Sequence, residues 1–315
     1  MSRRTTTTSL TTGRGRTGDR RGWGAGAHRV RLLITGGIGL LGKEIGAVFR
    51  DRAEILTTDR EECDVTDPAA CRREVDGFRP DVVIHCAAWT AVDRAESEPE
   101  AAHLLNVEGT RNVARACRER GALLVTFGTD YIFDGTSRRP YREEDPGNPL
   151  SVYGKTKWAA EQALREEGGD HLLVRTQWLF GPGGRNFIRT ILEKARRGEA
   201  LRVASDQVGC PTFSRDLAVA VRNLLDAGAR GTVHFSGEGE TSWFGLARYV
   251  LEQCGLPAAL LSPARTRELP YPAPRPVYGV LSKERYRAVT GVSPRPWEEA
   301  VREYLGMIHP EGEAG

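Results

Sequence analysis

Tyr153 stands four residues before Lys157 in SVYGKTKWAAEQAL, residues 151–164, a stretch with helical periodicity. Residues four apart on a helix share a face, so both side chains can reach one bound molecule. A free tyrosine titrates near pH ~10 and gives up its proton poorly at neutral pH; a neighbouring ammonium stabilises the phenolate and lowers that value. The pair is thus a general acid with its own charge partner. Two ordinary surface residues one turn apart would show the same spacing, and a third group supplies the context. Thr129 lies 24 residues upstream, at the end of the apolar run ALLVTFGT. Strand ends at the carboxyl edge of an open α/β sheet are where such folds bind ligands. A hydroxyl, a phenol and an ammonium gathered there can hold and protonate a carbonyl oxygen while hydride arrives at carbon.

That chemistry needs a hydride source, and LLITGGIGLLGKEI offers a place for one. Glycines 36, 39 and 42 fall between a predicted strand and a predicted helix. Gly36 permits the tight turn, Gly39 lets a pyrophosphate approach backbone, and Gly42 lets the helix sit close on the strand, with N–H groups of the helix start facing phosphate. The spacing is GxxGxxG, not GxGxxG. Asp59 ends the next apolar run, EILTTD, 23 residues after Gly36, where an acid would hydrogen-bond the adenosine ribose. Alone, it would pass for an ordinary strand-end aspartate. Arg60 follows and could meet a 2′-phosphate, so Asp59 favours NADH and Arg60 NADPH; both cofactors stay open, with the balance toward NADPH.

These groups need a scaffold, and the chain alternates strand-like and helix-like segments from residue 30. VRLLITG, EILTTD, DVVIHCAA, ALLVTFGT and HLLVRTQWLFG read as strands. LLGKEIGAVFRD, a segment near residues 68–75, AAHLLNVEGTRNVARACRERG and the Tyr153 segment read as helices. About six strands before residue 182 predict an α/β fold, a doubly wound parallel-sheet Rossmann fold. Beyond it come the turn GPGGRNF, the helix ILEKARRG, the irregular DQVGCPTFSRD, another helix and the proline-rich LPYPAPRPVYG. This texture predicts a smaller α/β substrate-binding lobe with long loops. The expected division is 29–174 for the NAD(P)-binding domain and 175–309 for the lobe, partly interleaved, with a disordered tail at 1–28 and a flexible end at 310–315. No repeat of 20 to 50 residues is visible.

Hydrophobic residues at 39% and charged residues at 28%, with no apolar run of membrane-spanning length, predict a soluble protein without a membrane partner. The net charge of +3 misleads, because residues 1–31 hold eight arginines and one aspartate, leaving 37 basic against 41 acidic residues. A mildly acidic body does not predict nucleic-acid binding. The first 28 residues carry only Leu10 and Trp23 as large apolar side chains and no apolar core of a secretory signal, so an inert extension is expected. Cysteines 63, 71, 86, 117, 210 and 254 form no C-x-x-C pair, which predicts reduced thiols and a cytoplasmic protein.

Six motifs in order, GGIGLLG, HCAAWTAVDRAE, FGTDYIFDG, VYGKTK, RTQWLFG and DQVGCPT, resemble the extended short-chain dehydrogenase/reductase family over residues 30–305. Within it they resemble the branch that reduces dTDP-4-keto-6-deoxyhexoses. The resemblance implies that Thr129, Tyr153 and Lys157 are catalytic. Tyr153 would protonate the oxygen formed at C4, Thr129 would hold the carbonyl oxygen, and Lys157 would bond the nicotinamide ribose and lower the tyrosine pKa. It implies cofactor contacts at Gly36, Gly39, Leu40, Leu41 and Gly42, at Asp64 and Val65 flanking the adenine, and at Ala87, Ala88, Trp89 and Thr90. For substrate it points to Val92, Asp93, Thr129, Asp130 and Trp178, and to Asn186, Gln207 and Thr212 around the nucleotide diphosphate. The implied substrate is dTDP-4-dehydro-6-deoxy-L-mannose, reduced to dTDP-L-rhamnose. Mg²⁺ and a homodimer come with the resemblance, although no ligand cluster places a metal. Where many relatives carry serine before the threonine, this chain has Gly128. Two other readings remain, another dTDP-4-keto-sugar reductase of secondary metabolism and a non-catalytic NADP-binding regulatory subunit. The intact Thr129, Tyr153 and Lys157 set speaks against the latter. A dehydratase would add an Asp-Glu pair after the threonine, whereas Asp130 and Tyr131 follow here.

Overall fold

Alternate residues of each central strand feed two different cores in the computed structural model, which describes residues 29–308. The expected disordered tail at 1–28 and flexible end at 310–315 lie outside the described residues. Leu32 and Ile34 of β1 (Val30–Thr35) enter one core and Leu33 the other. β3 (Val82–His85), β4 (Leu123–Thr129) and β5 (His171–Thr176) split in the same way. Strands buried on both faces read as continuous apolar runs, which is why the sequence shows them as such. With β2 (Ala53–Thr58) and the strand Gly231–His234 they form a six-stranded sheet, in the order Gly231–His234, β5, β4, β3, β1, β2. Every pairing is parallel, with Thr35 level with Thr58 and His85, and Thr129 level with Thr176. All carboxyl ends therefore share one edge, and the strand order reverses between β1 and β3, where doubly wound sheets bind ligands.

Helices cover both faces. α1 (Leu40–Phe49) and the helix Ser214–Asp226 bury Ile45, Phe49, Val221 and Leu224 in the first core. α2 (Pro68–Phe78) and the helices Gly109–Arg120 and Val152–Glu167 bury Cys71, Val75, Val113, Cys117 and Leu164 in the second. Local chemistry sets their starts. Asp67 caps α2 by accepting from the Ala69 N–H at 2.9 Å with Pro68 in the first turn, and Ser151 caps the Tyr153 helix by accepting from the Gly154 N–H at 3.1 Å.

Two expectations change in detail. Six strands do precede residue 182, but Leu179–Phe180 pairs with Thr212–Phe213 outside the central sheet, and Gly231–His234 takes the sixth place beside β5. The segment 101–121 is not one helix. Pro99–His103 runs into a π-helical turn, Leu104–Glu108, before Gly109–Arg120. Such turns frequently occur at functional sites, and this one buries Asn106.

The remaining chain builds a second lobe around Phe180, Ile188, Phe213, Val250, Trp297 and Tyr304. Its helices Phe187–Arg196, Trp243–Gln253 and Trp297–Ile308 are tied by short strand pairs, Leu201–Ala204 with Leu261–Ala264 and Val208–Gly209 with Thr241–Ser242. Among the described residues no helix is long and apolar enough to cross a membrane.

Candidate active site

The glycine turn is built by contact as well as by conformation. Gly36 has φ +69°, and a Cβ there would stand 2.6 Å from the Ala87 nitrogen; one on Gly42 would stand 2.6 Å from the Gly36 carbonyl oxygen. β1, α1 and the end of β3 are thereby drawn together. Gly39 precedes α1 with no side-chain cap, so the first N–H groups of the helix are left for an anion. Gly36, Gly39, Asp59, Arg60, Asp64, Val65, Ala87, Ala88 and Trp89 line one cleft of about 450 Å³ at the sheet's carboxyl edge, within the range of cofactor sites. The residues present fit a dinucleotide.

Within the cleft the side chains have separate tasks. Asp59 accepts from the Ile38 N–H at 3.2 Å and holds the glycine turn. Arg60 is 87% exposed, touching Asp64 only at 3.5 Å. Asp64 accepts from the hydroxyl and N–H of Thr66, which hold its carboxyl below the usual range. Val65 is buried beneath the cleft and packs in the second core. Leu41 lies in the first core, Leu40 leans on Gly184, and Thr90 is exposed beside Trp89.

Sequence reasoning passed over the apolar rim, Ile38 and Leu104, both solvent-exposed, and over Asn106. The Asn106 amide oxygen accepts from the Trp89 N–H at 2.8 Å, and its nitrogen donates to Thr156 Oγ1 at 2.9 Å. The loop after β3 is thereby stapled to the Tyr153 helix. A polar residue amid the apolar positions of AAHLLNVEGT was the available signal.

Thr129, Tyr153 and Lys157 converge where β4 ends. The helix comes so close that a Cβ on Gly154 would stand 2.3 Å from the Tyr131 carbonyl oxygen, and the Tyr131 and Tyr153 rings meet edge to face at 5.5 Å. Lys157 Nζ donates to the Phe127 carbonyl at 2.8 Å, and burial lowers the ammonium to about 8. Burial pushes Tyr153 up to about 12, against a downward pull from the Thr129 hydroxyl. Desolvation thus outweighs the Thr129 contribution, the lowering expected from Lys157 does not show in the chain by itself, and the phenol stays protonated at neutral pH. A proton donor for a reduction needs that state, with the ammonium on the same helix face to stabilise the phenolate left behind.

Gly128 has a structural reason. A Cβ there would stand 2.7 Å from Arg175 Cγ and 2.8 Å from Glu161 Oε1, whose ion pair, at 2.7 Å, is fully buried under the end of β4. Arg175 also reaches His234 and the rings of Phe133 and Trp158.

The substrate-side residues divide. Asp93, on the short helix Val92–Ser97, pairs with Arg275 of the proline-rich segment at 2.8 Å. Asp130 is buried beside Thr129. Trp178 has φ +47°, costly for a bulky side chain, and stacks on Trp243 at 3.6 Å. Next to it the Gln177 amide and the Thr212 hydroxyl are buried with no protein partner among the described residues; such atoms are commonly satisfied by water or ligand. Asn186 and Gln207 have structural employment. Asn186 caps Phe187–Arg196 and donates to the Gly181 carbonyl and Tyr304 hydroxyl, and Gln207 bonds Trp243 and Thr266. Among the described residues no group of three or more His, Cys, Asp or Glu side chains is placed to hold a metal.

The family model described as RmlD substrate binding domain matches residues 30–309. The chain belongs to the RmlD family. It is similar to the dTDP-4-dehydrorhamnose reductase of Streptomyces griseus, at 42% identity over 87% of this chain and 93% of that protein. It is similar as well to the dTDP-4-keto-6-deoxy-D-glucose reductase of Streptomyces niveus, at 37% identity over 89% of this chain and 98% of that one. Among solved structures of RmlD-like fold, the dTDP-4-dehydrorhamnose reductase of Bacillus anthracis in complex with NADP shares 34% identity. Its TM-score is 0.85, covering 88% of this chain and 99% of that one.

Proposed function

We propose that this RmlD-family chain reduces the C4 ketone of dTDP-4-dehydro-6-deoxy-L-mannose to dTDP-L-rhamnose. It is an NAD(P)H-dependent oxidoreductase, and when bound in the cleft the nicotinamide cofactor supplies the hydride. The observation that carries the reading is the convergence of Thr129, Tyr153 and Lys157 beside a glycine turn able to seat a dinucleotide. Thr129 holds the carbonyl oxygen, Tyr153 gives its proton to the oxygen formed at C4, and Lys157 bonds the nicotinamide ribose and steadies the phenolate. Arg60, exposed at the cleft edge while Asp59 is occupied with the Ile38 N–H, supports NADPH over NADH. Trp178 and Asp93 face the sugar and nucleotide in this reading. Cytoplasmic location and homodimeric assembly belong to the same proposal; the six free cysteines support the former.

A second reading, reduction of another dTDP-4-keto-6-deoxyhexose, is favoured by the Streptomyces niveus relative. Product analysis of one turnover with dTDP-4-dehydro-6-deoxy-L-mannose and each nicotinamide decides between them. The first reading requires dTDP-L-rhamnose. No product there, with turnover of a different 4-keto sugar, would establish the second.

A further inference from the structure

One ionisable group at the site, which the family resemblance places against the substrate, takes no part in the hydride and proton transfer itself. Asp130 is 2% exposed, directly after Thr129, and its Oδ1 lies 3.2 Å from Thr129 Oγ1. Its other oxygen is tucked against the proline-rich segment, where a Cβ on Gly279 would stand only 2.6 Å away. Thr129 Oγ1 accepts the Tyr131 N–H at 3.3 Å and owns a single hydrogen. Three acceptors compete for that hydrogen: the Asp130 carboxylate, the Tyr153 phenol oxygen before substrate arrives, and the oxygen developing on the substrate.

Resting on the proposed reduction, we infer that Asp130 works as a neutral carboxylic acid that donates to Thr129 Oγ1 and so turns the threonine hydrogen toward the substrate carbonyl. Asp130 is then a positioning residue acting through Thr129. With Asp130 protonated, Thr129 accepts from Asp130 and from the Tyr131 N–H and donates once, which uses its full capacity. With Asp130 ionised, the threonine hydrogen is drawn to the carboxylate and the substrate oxygen loses a donor.

The surroundings favour the neutral form. Burial pushes Asp130 up to about 7, against hydrogen bonds from its own N–H, the Thr129 hydroxyl and the Tyr131 N–H. The facing titratable groups are Tyr131 on its own turn and Tyr153 on the adjacent helix, with Lys157 one turn further along; beyond Tyr131 stand Arg275 of the proline-rich segment and its partner Asp93. Arg275 and Asp93 offset each other, and bound anionic cofactor and substrate would raise Asp130 further.

The test is the pH dependence of kcat for the full chain with NADPH and dTDP-4-dehydro-6-deoxy-L-mannose, between about pH 5.5 and 9. Wild-type kcat falls about tenfold per unit above the Asp130 value, with a separate limb from Lys157 near or above 8. D130N, whose amide donates but cannot ionise, is slower than wild type at acid pH but loses the lower limb. D130A, which donates nothing, loses that limb too and is at least about tenfold slower than D130N at every pH. NADPH binding by fluorescence verifies that both variants fold. Persistence of the lower limb in D130N, or equal rates in D130N and D130A, would overturn the inference. A wild-type chain inactive on every 4-keto sugar would instead sink the proposed activity.

Discussion

Tyr153 has to keep its proton until hydride reaches C4, and burial ensures that by holding the phenol at about 12. The cost of giving the proton up falls on Lys157, which burial has brought to about 8 and which remains largely charged at neutral pH. Tyr153→Phe removes the donor with almost no change in volume. It should lower kcat by about 10²- to 10⁴-fold while leaving the NADPH dissociation constant within about threefold. Stopped-flow or steady-state NADPH oxidation measures the first and fluorescence titration the second. A near-normal kcat in that variant would remove Tyr153 from the chemistry.

The elements around the site are set by what lies beneath them. β4 delivers Thr129 to the sheet edge, but its course at Gly128 depends on the Arg175–Glu161 pair below, which joins β5 to the Tyr153 helix. Both partners are buried and Arg175 is flanked by aromatic rings, so neither can swing away to admit a side chain. Gly128→Ser should therefore destabilise the fold by about 1 to 3 kcal/mol through overpacking. Urea unfolding followed by circular dichroism would read this, and an unchanged midpoint would mean that the pair yields. The π-helical turn at Leu104–Glu108 acts on the same scale, since the extra residue in the turn buries Asn106 and lets it span the loop after β3 and the Tyr153 helix.

At the scale of the whole molecule, acid should unfold the protein through its buried histidines. His85, bonded to Thr35 at 2.7 Å, and His234, beside Arg175, are both lowered to about 3, chiefly by burial. Their folded values lie below the unfolded ~6.5, so the stability they contribute is present above about pH 6.5 and is lost as pH falls toward 3. Asp130, Glu143 and Asp216 work in the opposite sense, because their raised values favour the folded state at low pH. Asp64, Asp93, Asp134, Asp145 and Glu167, held below the usual carboxylate range, side with the histidines. Denaturation midpoints measured in steps from about pH 7 to 4 should fall, and a flat profile would contradict the neutral buried histidines. What the sequence by itself determined was local or periodic. Apolar runs alternating with helical segments announced the parallel sheet, the glycine spacing announced the turn before α1, and Tyr153 with Lys157 at one helical turn announced a shared face. Each signal spans fewer than about twenty residues and follows from backbone periodicity. Only the tertiary structure decided the rest. It brought Gly231–His234 beside β5, set Arg175 on Glu161 under Gly128, spent the amides of Asn186 and Gln207 on the second lobe, and closed Gly279 over Asp130. These contacts join distant segments, and burial, which no local pattern encodes, is what raises Tyr153 and Asp130 above their ordinary values.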